Sequence, residues 1–316
     1  MNRKTMPAWL DDYFLLVALA ALIVLFGAVS EHFLSMATLS TVLNQLPPLM
    51  LATVGMTLVM MVGGIDLSVG SLLALSATII GVASVSMALP LPVAILLGVG
   101  ATTLAGSFSG WLTAYFGLPS FIVTLGMLEA TRGLAYMVSN SQTVFIGPRI
   151  QALSLPLPVL GLAPAFLIAL AVIAFAHGVL RRTVAGRYIV AIGTNETAAR
   201  ISGIETKPYR MATLAVSGFL AGFAGLFNAS YLAAADPNAG SGLELSAIAA
   251  AVIGGTSLMG GRGSVVGAFI GVLIIAVLQS GLAQVGLTEP VKRLITGGVI
   301  IAAVLLDRWR AAGRAT

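Results

Sequence analysis

From residue 13 to residue 306 the chain is a succession of apolar runs, at about 13–29, 48–63, 69–89, 93–116, 119–138, 164–180, 210–235, 245–258, 264–284 and 291–306, with little between them. A membrane crossing needs about 20 apolar residues. Ten such runs in 316 residues leave almost nothing for a water-soluble domain, and only 27 residues carry a charge, against about 25% in soluble domains. The expected fold is all-α: a polytopic membrane protein of about ten transmembrane or half-spanning helices, forming one transmembrane domain over residues 1–316. Several runs are short or interrupted by glycine and proline. Such segments are read as half-helices or re-entrant stretches, which lipid tolerates only where protein or a water-filled cavity surrounds the backbone. The absence of cysteine removes disulfides, zinc–thiolate sites, iron–sulfur ligation and a cysteine nucleophile.

The basic residues set the orientation, because the cytoplasmic side of a membrane protein is enriched in them. Arg3 and Lys4 open the chain. Arg181, Arg182, Arg187, Arg200, Lys207 and Arg210 fill one loop, and Arg308, Arg310 and Arg314 close the chain. Six runs separate the first cluster from the second and four the second from the third, so all three fall on one side. Both termini are expected to be cytoplasmic, with Arg149, Lys292 and Arg293 outside. A net charge of +5 is thus a topology signal, and no nucleic-acid partner is expected. The first run is as long as a full crossing, so it is read as an uncleaved span and not as a signal peptide. The proline-rich segment 139–163 faces outward, either as a stiff connector or as a docking surface.

Two glycine-rich elements resemble each other. Residues 63–71 read GGIDLSVGS and residues 254–264 read GGTSLMGGRGS, sharing the frame Gly-Gly-x-x-Leu-x-x-Gly on the same expected side, as in a parallel internal repeat. Gly63, Gly64, Gly254 and Gly255 let the backbone turn sharply or approach a neighbour. Asp66 or Ser68 can accept the amides of a helix that restarts near Val69. The element is either a hinge facing a cavity or a capped turn that closes two spans. Asp66, Ser68 and Asn228 are the candidate path residues, chosen as polar groups in apolar surroundings. Glu129 and Arg132 stand three apart on one helix and are expected to neutralise each other, as a structural pair or a gate. His32 and His177 are far apart and outside any HExxH frame, so no metal site is expected, and no catalytic residue is assigned. Gly98, Gly100, Gly106, Gly110, Gly218, Gly222 and Gly225 recur at near-helical spacing and are read as helix-packing positions.

The basic loop 181–210 carries the boundary signals of a two-turn helix. Thr194 or Asn195 is its N-cap, Glu196 and Arg200 complement its ends, and Gly203 takes the left-handed position beyond it. So short a helix is marginal alone. It either lies on the membrane or docks a partner through the small face of Ala198, Ala199 and Ser202. No lysine sits in a P-loop frame, so any ATP must be hydrolysed by another subunit.

Four stretches together resemble the permease subunits of ATP-binding cassette importers for monosaccharides such as ribose, xylose, arabinose and galactose. They are VGMTLVMMVGGIDLSVGSLLALSA at 54–77, GLPSFIVTLGMLEATRGLAYMVSN at 117–140, GRYIVAIGTNETAARISGI at 186–204 and AIAAAVIGGTSLMGGRGSVVGAFIGVLIIAVLQSGL at 247–282. The resemblance spans nearly the whole chain. It implies a permease in a bacterial inner membrane, paired with a second permease (identical or a paralogue), two cytoplasmic ABC ATPases and an extracytoplasmic sugar-binding protein. It also implies that Gly193, Thr194, Asn195, Ala198, Ala199 and Gly203 form the helix that couples to the ATPase. This chain binds no cofactor; ATP and Mg belong to the ATPase. The stretch Gln45-Leu46-Pro47-Pro48, leading into the second span, departs from the family pattern and shifts that span's start. A branched-chain amino acid permease of the same type and an ion-coupled secondary carrier are the alternatives. The GGIDLSVGS frame favours the sugar branch, and the carrier would need more titratable intramembrane residues than are found.

Overall fold

The structure, a computed structural model, describes residues 8–158 and 160–314; Arg3 and Lys4 lie outside the described residues. Every expected run is helical. The helices are α1 (Ala8–Val29), α2 (Met36–Gln45), α3 (Pro47–Met61), α4 (Val69–Val85), α5 (Leu91–Tyr115), α6 (Ser120–Val138), α7 (Pro148–Gln151), α8 (Pro164–Arg182), α9 (Val184–Thr194), α10 (Glu196–Ile201), α11 (Thr206–Leu232), α12 (Leu243–Ile253), α13 (Val265–Gln284) and α14 (Glu289–Arg314). Among the described residues, α5, α6, α8, α11 and α13 are each long and apolar enough to cross a membrane unaided. The pair α2–α3 makes a sixth candidate, bent by 45°. The bend falls where Pro47 occupies the first helical position of α3, because a proline ring cannot continue the preceding helix. Helices α4 and α12 are shorter apolar pieces. The chain is a polytopic helical membrane protein.

Helix α11 is the hub. It packs on α5, α3 and α4, and small residues bring these backbones together. Gly106 and Gly218 face each other across α5 and α11, and a Cβ on either would lie 3.0 Å from the other's Cα. Gly110 meets Met211, Gly222 meets Val99 and Gly225 meets Leu73. Gly98 packs on Ser76 and Ile80, whereas Gly100 faces open space and so is not a packing position. Side chains such as Met50, Leu51, Leu73, Ile80, Phe227 and Ile275 fill the interior.

Val144 and Phe145 pair antiparallel with Ala235 and Ala234. This bridge ties segment 139–163 to the end of α11, helped by Ser230, whose hydroxyl donates to the Ile150 carbonyl at 2.6 Å. Beyond it the chain dips inward. Ala235 lies against Gly81 near the C-terminal end of α4, while Gly240 lies against Gly70 near its start. Eleven helical residues separate those glycines, about 16 Å at 1.5 Å per residue. Helix α12 therefore begins deep in the bundle and is a half-helix.

Candidate functional site

Both glycine elements are helix breaks closed by the same turn. At the first, Gly64 N–H donates to Val59 O and Gly63 N–H to Met60 O, each 2.9 Å, with Gly63 left-handed at φ +77°. At the second, Thr256 N–H donates to Ala251 O and Gly255 N–H to Val252 O, each 2.9 Å, with Gly255 at φ +85°. This paired 6→1 and 5→2 pattern is a Schellman motif, which places a glycine just past the helix end. The shared sequence frame is therefore out of register by one residue. Gly63 corresponds in conformation to Gly255, not to Gly254, because α12 runs one residue further into its glycine pair. Gly254 instead presses against the α13 backbone at Gly267 and Ala268.

The first break is splinted by α6. Ser120 Oγ accepts the Ile65 amide at 2.9 Å, and Thr124 Oγ1 accepts the Leu67 amide at 3.0 Å while donating to Ile65 O at 3.1 Å. These hydroxyls satisfy backbone groups that lipid would leave bare. Further along α6, Thr131 Oγ1 and Ser71 Oγ share a hydrogen bond of 2.7 Å. Sequence reasoning missed this column, although its signal was there: serine or threonine at 120, 124 and 131 falls on one helical face.

Asp66 and Ser68 are each 1% exposed in this structure. Asp66 Oδ1 accepts from Ser68 N at 3.0 Å and from Ser68 Oγ at 2.6 Å; its Oδ2 accepts from Ser217 Oγ at 2.7 Å. Ser68 makes no side-chain cap to α4, since its hydroxyl is spent on the carboxylate. A buried carboxylate must find donors, and here they bind the break to α11. Asn228 does not join this group. It lies eleven residues beyond Ser217 on α11, about 16 Å along the axis, with its Oδ1 enclosed and without a hydrogen-bond partner among the described residues.

The expected Glu129–Arg132 pair does not form. Arg132 Nη1 donates to Pro237 O at 2.6 Å and to Ala239 O at 2.8 Å, and Tyr136 OH donates to Asn238 Oδ1 at 2.6 Å. The inward dip at 236–242 exposes carbonyls without helical partners, and a charged donor on them outcompetes a neighbouring exposed carboxylate. Helix α6 thus holds both unwound segments.

The basic loop is more helical than its sequence suggested, because α9 precedes the short helix. Its apolar side, Ile189 and Ile192, packs on Met61 and Val62. Helix α10 has the expected caps. Asn195 Oδ1 accepts from Ala198 N at 3.0 Å, and Gly203 at φ +84° ends it with the bonds Gly203 N to Arg200 O, 3.0 Å, and Ile204 N to Ala199 O, 3.1 Å. Glu196 fastens it to α11, accepting from Arg210 Nη1 at 2.9 Å and Thr206 Oγ1 at 2.9 Å.

Two residues expected to touch a partner face inward instead. Ala199 is buried in the cluster of Met61, Val62, Ile189 and Ile192, because an amphipathic turn must cover its own core first. At Gly193 a Cβ would collide with Met61 O and Gly261 N. Gly261 N–H in turn donates to Met61 O at 3.0 Å, Gly260 lies against Gly63 and Gly193, and Gly261 against Thr194. The ends of α3 and α9 and the loop after α12 therefore meet in one backbone node directly beneath α10. Thr194, although it touches Gly261, and Asn195, Ala198, Ser202 and Gly203 are exposed. Ile201, which sequence reasoning passed over, is 82% exposed. Among the described residues no group of three or more His, Cys, Asp or Glu could hold a metal ion.

The geometry is thus a membrane bundle with two splinted breaks and an exposed peg resting on their junction. The profile of the family described as "Branched-chain amino acid transport system / permease component" matches residues 38–304. The ribose import permease protein of Escherichia coli is 37% identical over 97% of this chain and 96% of its own length. That of Bacillus subtilis is 36% identical, over 94% and 92%. The D-allose transport system permease protein of Escherichia coli is 34% identical, over 94% and 92%. No solved structure matches the chain. The chain belongs to this family of transport-system permease components: it is a membrane transport subunit, not an enzyme.

Proposed function

We propose that this chain is the translocating subunit of an ATP-driven importer for a monosaccharide, in a bacterial inner membrane with both termini cytoplasmic. A second permease completes the path, an extracytoplasmic binding protein delivers the sugar outside, and ATPase subunits using ATP and Mg bind inside. The observation that carries this reading is the capped, exposed α10 seated on the node of Gly193, Met61 and Gly261. A force on α10 reaches both helix breaks through rigid backbone contacts, whereas a carrier with no motor has no use for such a peg. The names of the relatives, ribose and allose permeases, support a sugar. The family description instead names branched-chain amino acids and supplies the second reading.

The contact side of α10 is Ala198, Ile201 and Ser202. Covering the exposed Ile201 side chain with a partner would remove apolar surface from water. In the test, a tagged chain is purified from membranes with its partners, and ATP-driven uptake of ribose, allose, xylose, arabinose, galactose and leucine is measured. Co-purification of an ATPase and uptake of one sugar are expected, with Ile201→Asp lowering uptake at least tenfold while membrane insertion stays normal. Uptake without any ATPase, or of leucine alone, defeats the proposal.

A further inference from the structure

The outward faces of α5 and α6 are both largely apolar, with Phe121, Ile122, Leu125, Leu134 and Met137 exposed on α6, but that of α6 also carries a carboxylate. On α5 the exposed side chains are bulky and apolar, among them Leu96, Leu104, Phe108 and Trp111, as suits lipid. On α6, Glu129 is exposed, and a Cβ added at Gly126 or Gly133 beside it would meet nothing within 4 Å. Glu129 is the tenth of 19 residues in α6. At 1.5 Å per residue the helix is about 28 Å long, close to the thickness of the hydrocarbon core, so the carboxylate stands near mid-depth. It points away from the buried side of α6, where Ser120, Thr124, Thr131 and Ala135 lie. Among the described residues it has no ion pair or hydrogen bond, since Arg132 is bonded to Pro237 and Ala239. A charged side chain left in lipid at mid-depth is costly, about 2.5–3.5 kcal/mol on the insertion scale.

We propose that Glu129 lines a water-filled solute path between α6 and the same face of a second copy of this chain. The inference rests on the importer reading above and assigns a contact residue to its path. Two copies related by a two-fold axis would present the same face to each other, bringing two Glu129 carboxylates toward one another. Two ionised carboxylates do not share a dry, low-dielectric contact, so while both are charged the space between them holds water or solute. Gly126 and Gly133 leave room for that solute beside the carboxylate. A carboxylate offers only acceptors, and the matching ligand chemistry is a neutral solute rich in hydroxyl donors.

This chain has no cysteine of its own, so it adds no background labelling. Single variants Glu129→Cys, Gly126→Cys and Gly133→Cys are placed in the full complex in membranes, with Leu104→Cys on α5 as the lipid-facing control. A water-soluble, charged methanethiosulfonate reagent is expected to modify position 129 at least tenfold faster than position 104. Positions 126 and 133 report the same face if the 129 variant does not assemble. Equal, slow reaction of every assembled α6 variant and Leu104→Cys overturns the path. Fast labelling in a complex that takes up leucine and no sugar keeps the path and defeats the sugar reading. ATP-driven sugar uptake with slow labelling keeps the importer and defeats the assignment of Glu129.

Discussion

The two helix breaks start alike and are held in different ways. Each ends its helix in a Schellman turn with a left-handed glycine, Gly63 or Gly255, and each restarts after a serine, Ser68 or Ser264. From there they diverge. The first is stitched to its neighbours by side chains: Ser120 and Thr124 of α6 hold its amides, and Asp66 ties it to Ser217 of α11. The second is held largely by its own chain. Ser257 N donates to Arg262 O at 3.0 Å, Ser264 Oγ caps the Gly267 amide at 3.0 Å, and the tip residue Met259 is 87% exposed. Gly261 hooks the loop to the first break, through Met61 O. One break is an internal strut and the other a surface loop leaning on it. A bundle can thus carry two similar bends and use only one of them as a fixed point.

The largest expected effect comes from Gly193→Val, which wedges a branched side chain into the node where both breaks meet α9. Overpacking against backbone atoms that cannot move aside should cost about 3 kcal/mol or more. The expected readout is a sharply lowered thermal midpoint in detergent and uptake near background. Wild-type stability in this variant would mean that the breaks are not mechanically joined.

Next in size is Asp66→Leu, which leaves Ser68 N, Ser68 Oγ and Ser217 Oγ without their acceptor. Unmet buried donors cost about 1–3 kcal/mol each. Chemical unfolding in detergent should show a clear loss, and Asp66→Asn, which retains one acceptor oxygen, should recover part of it. Equal stability of the leucine variant and wild type would remove the strut from the comparison.

The smallest stability change is expected for Met259→Ser at the tip of the second break. A surface substitution of this kind stays within about 0.5 kcal/mol. Unfolding curves that overlay wild type are the expected result; a destabilisation as large as that of Asp66→Leu would show that the second break is an internal strut as well.

The legible features were those set by neighbours in the chain. The runs that make α3, α4, α5 and α6 could be read directly, since an apolar stretch of that length has few other fates. So could the caps of α10, because Asn195 and Gly203 act on backbone groups three to five residues away. Helix α9 was missed because Tyr188, Ile189 and Ile192 lie among basic residues that marked the whole stretch as a loop. The pairing of Glu129 with Arg132 was misjudged because spacing along a helix shows which groups can meet, but not what else competes for them. The carbonyls at Pro237 and Ala239 are more than 100 residues away and won that competition.

By itself the sequence determined the solvent this chain lives in and the places where helices stop and restart. Those follow from hydropathy and from hydrogen bonds that close within one turn. Only the tertiary structure decided that Asp66 is buried and bonded, that Ala199 and Gly193 face inward, and that Glu129 is left open on α6. A polar side chain takes whichever donors, acceptors or open space the assembled bundle brings within about 3 Å of it, and that depends on contacts across the whole chain.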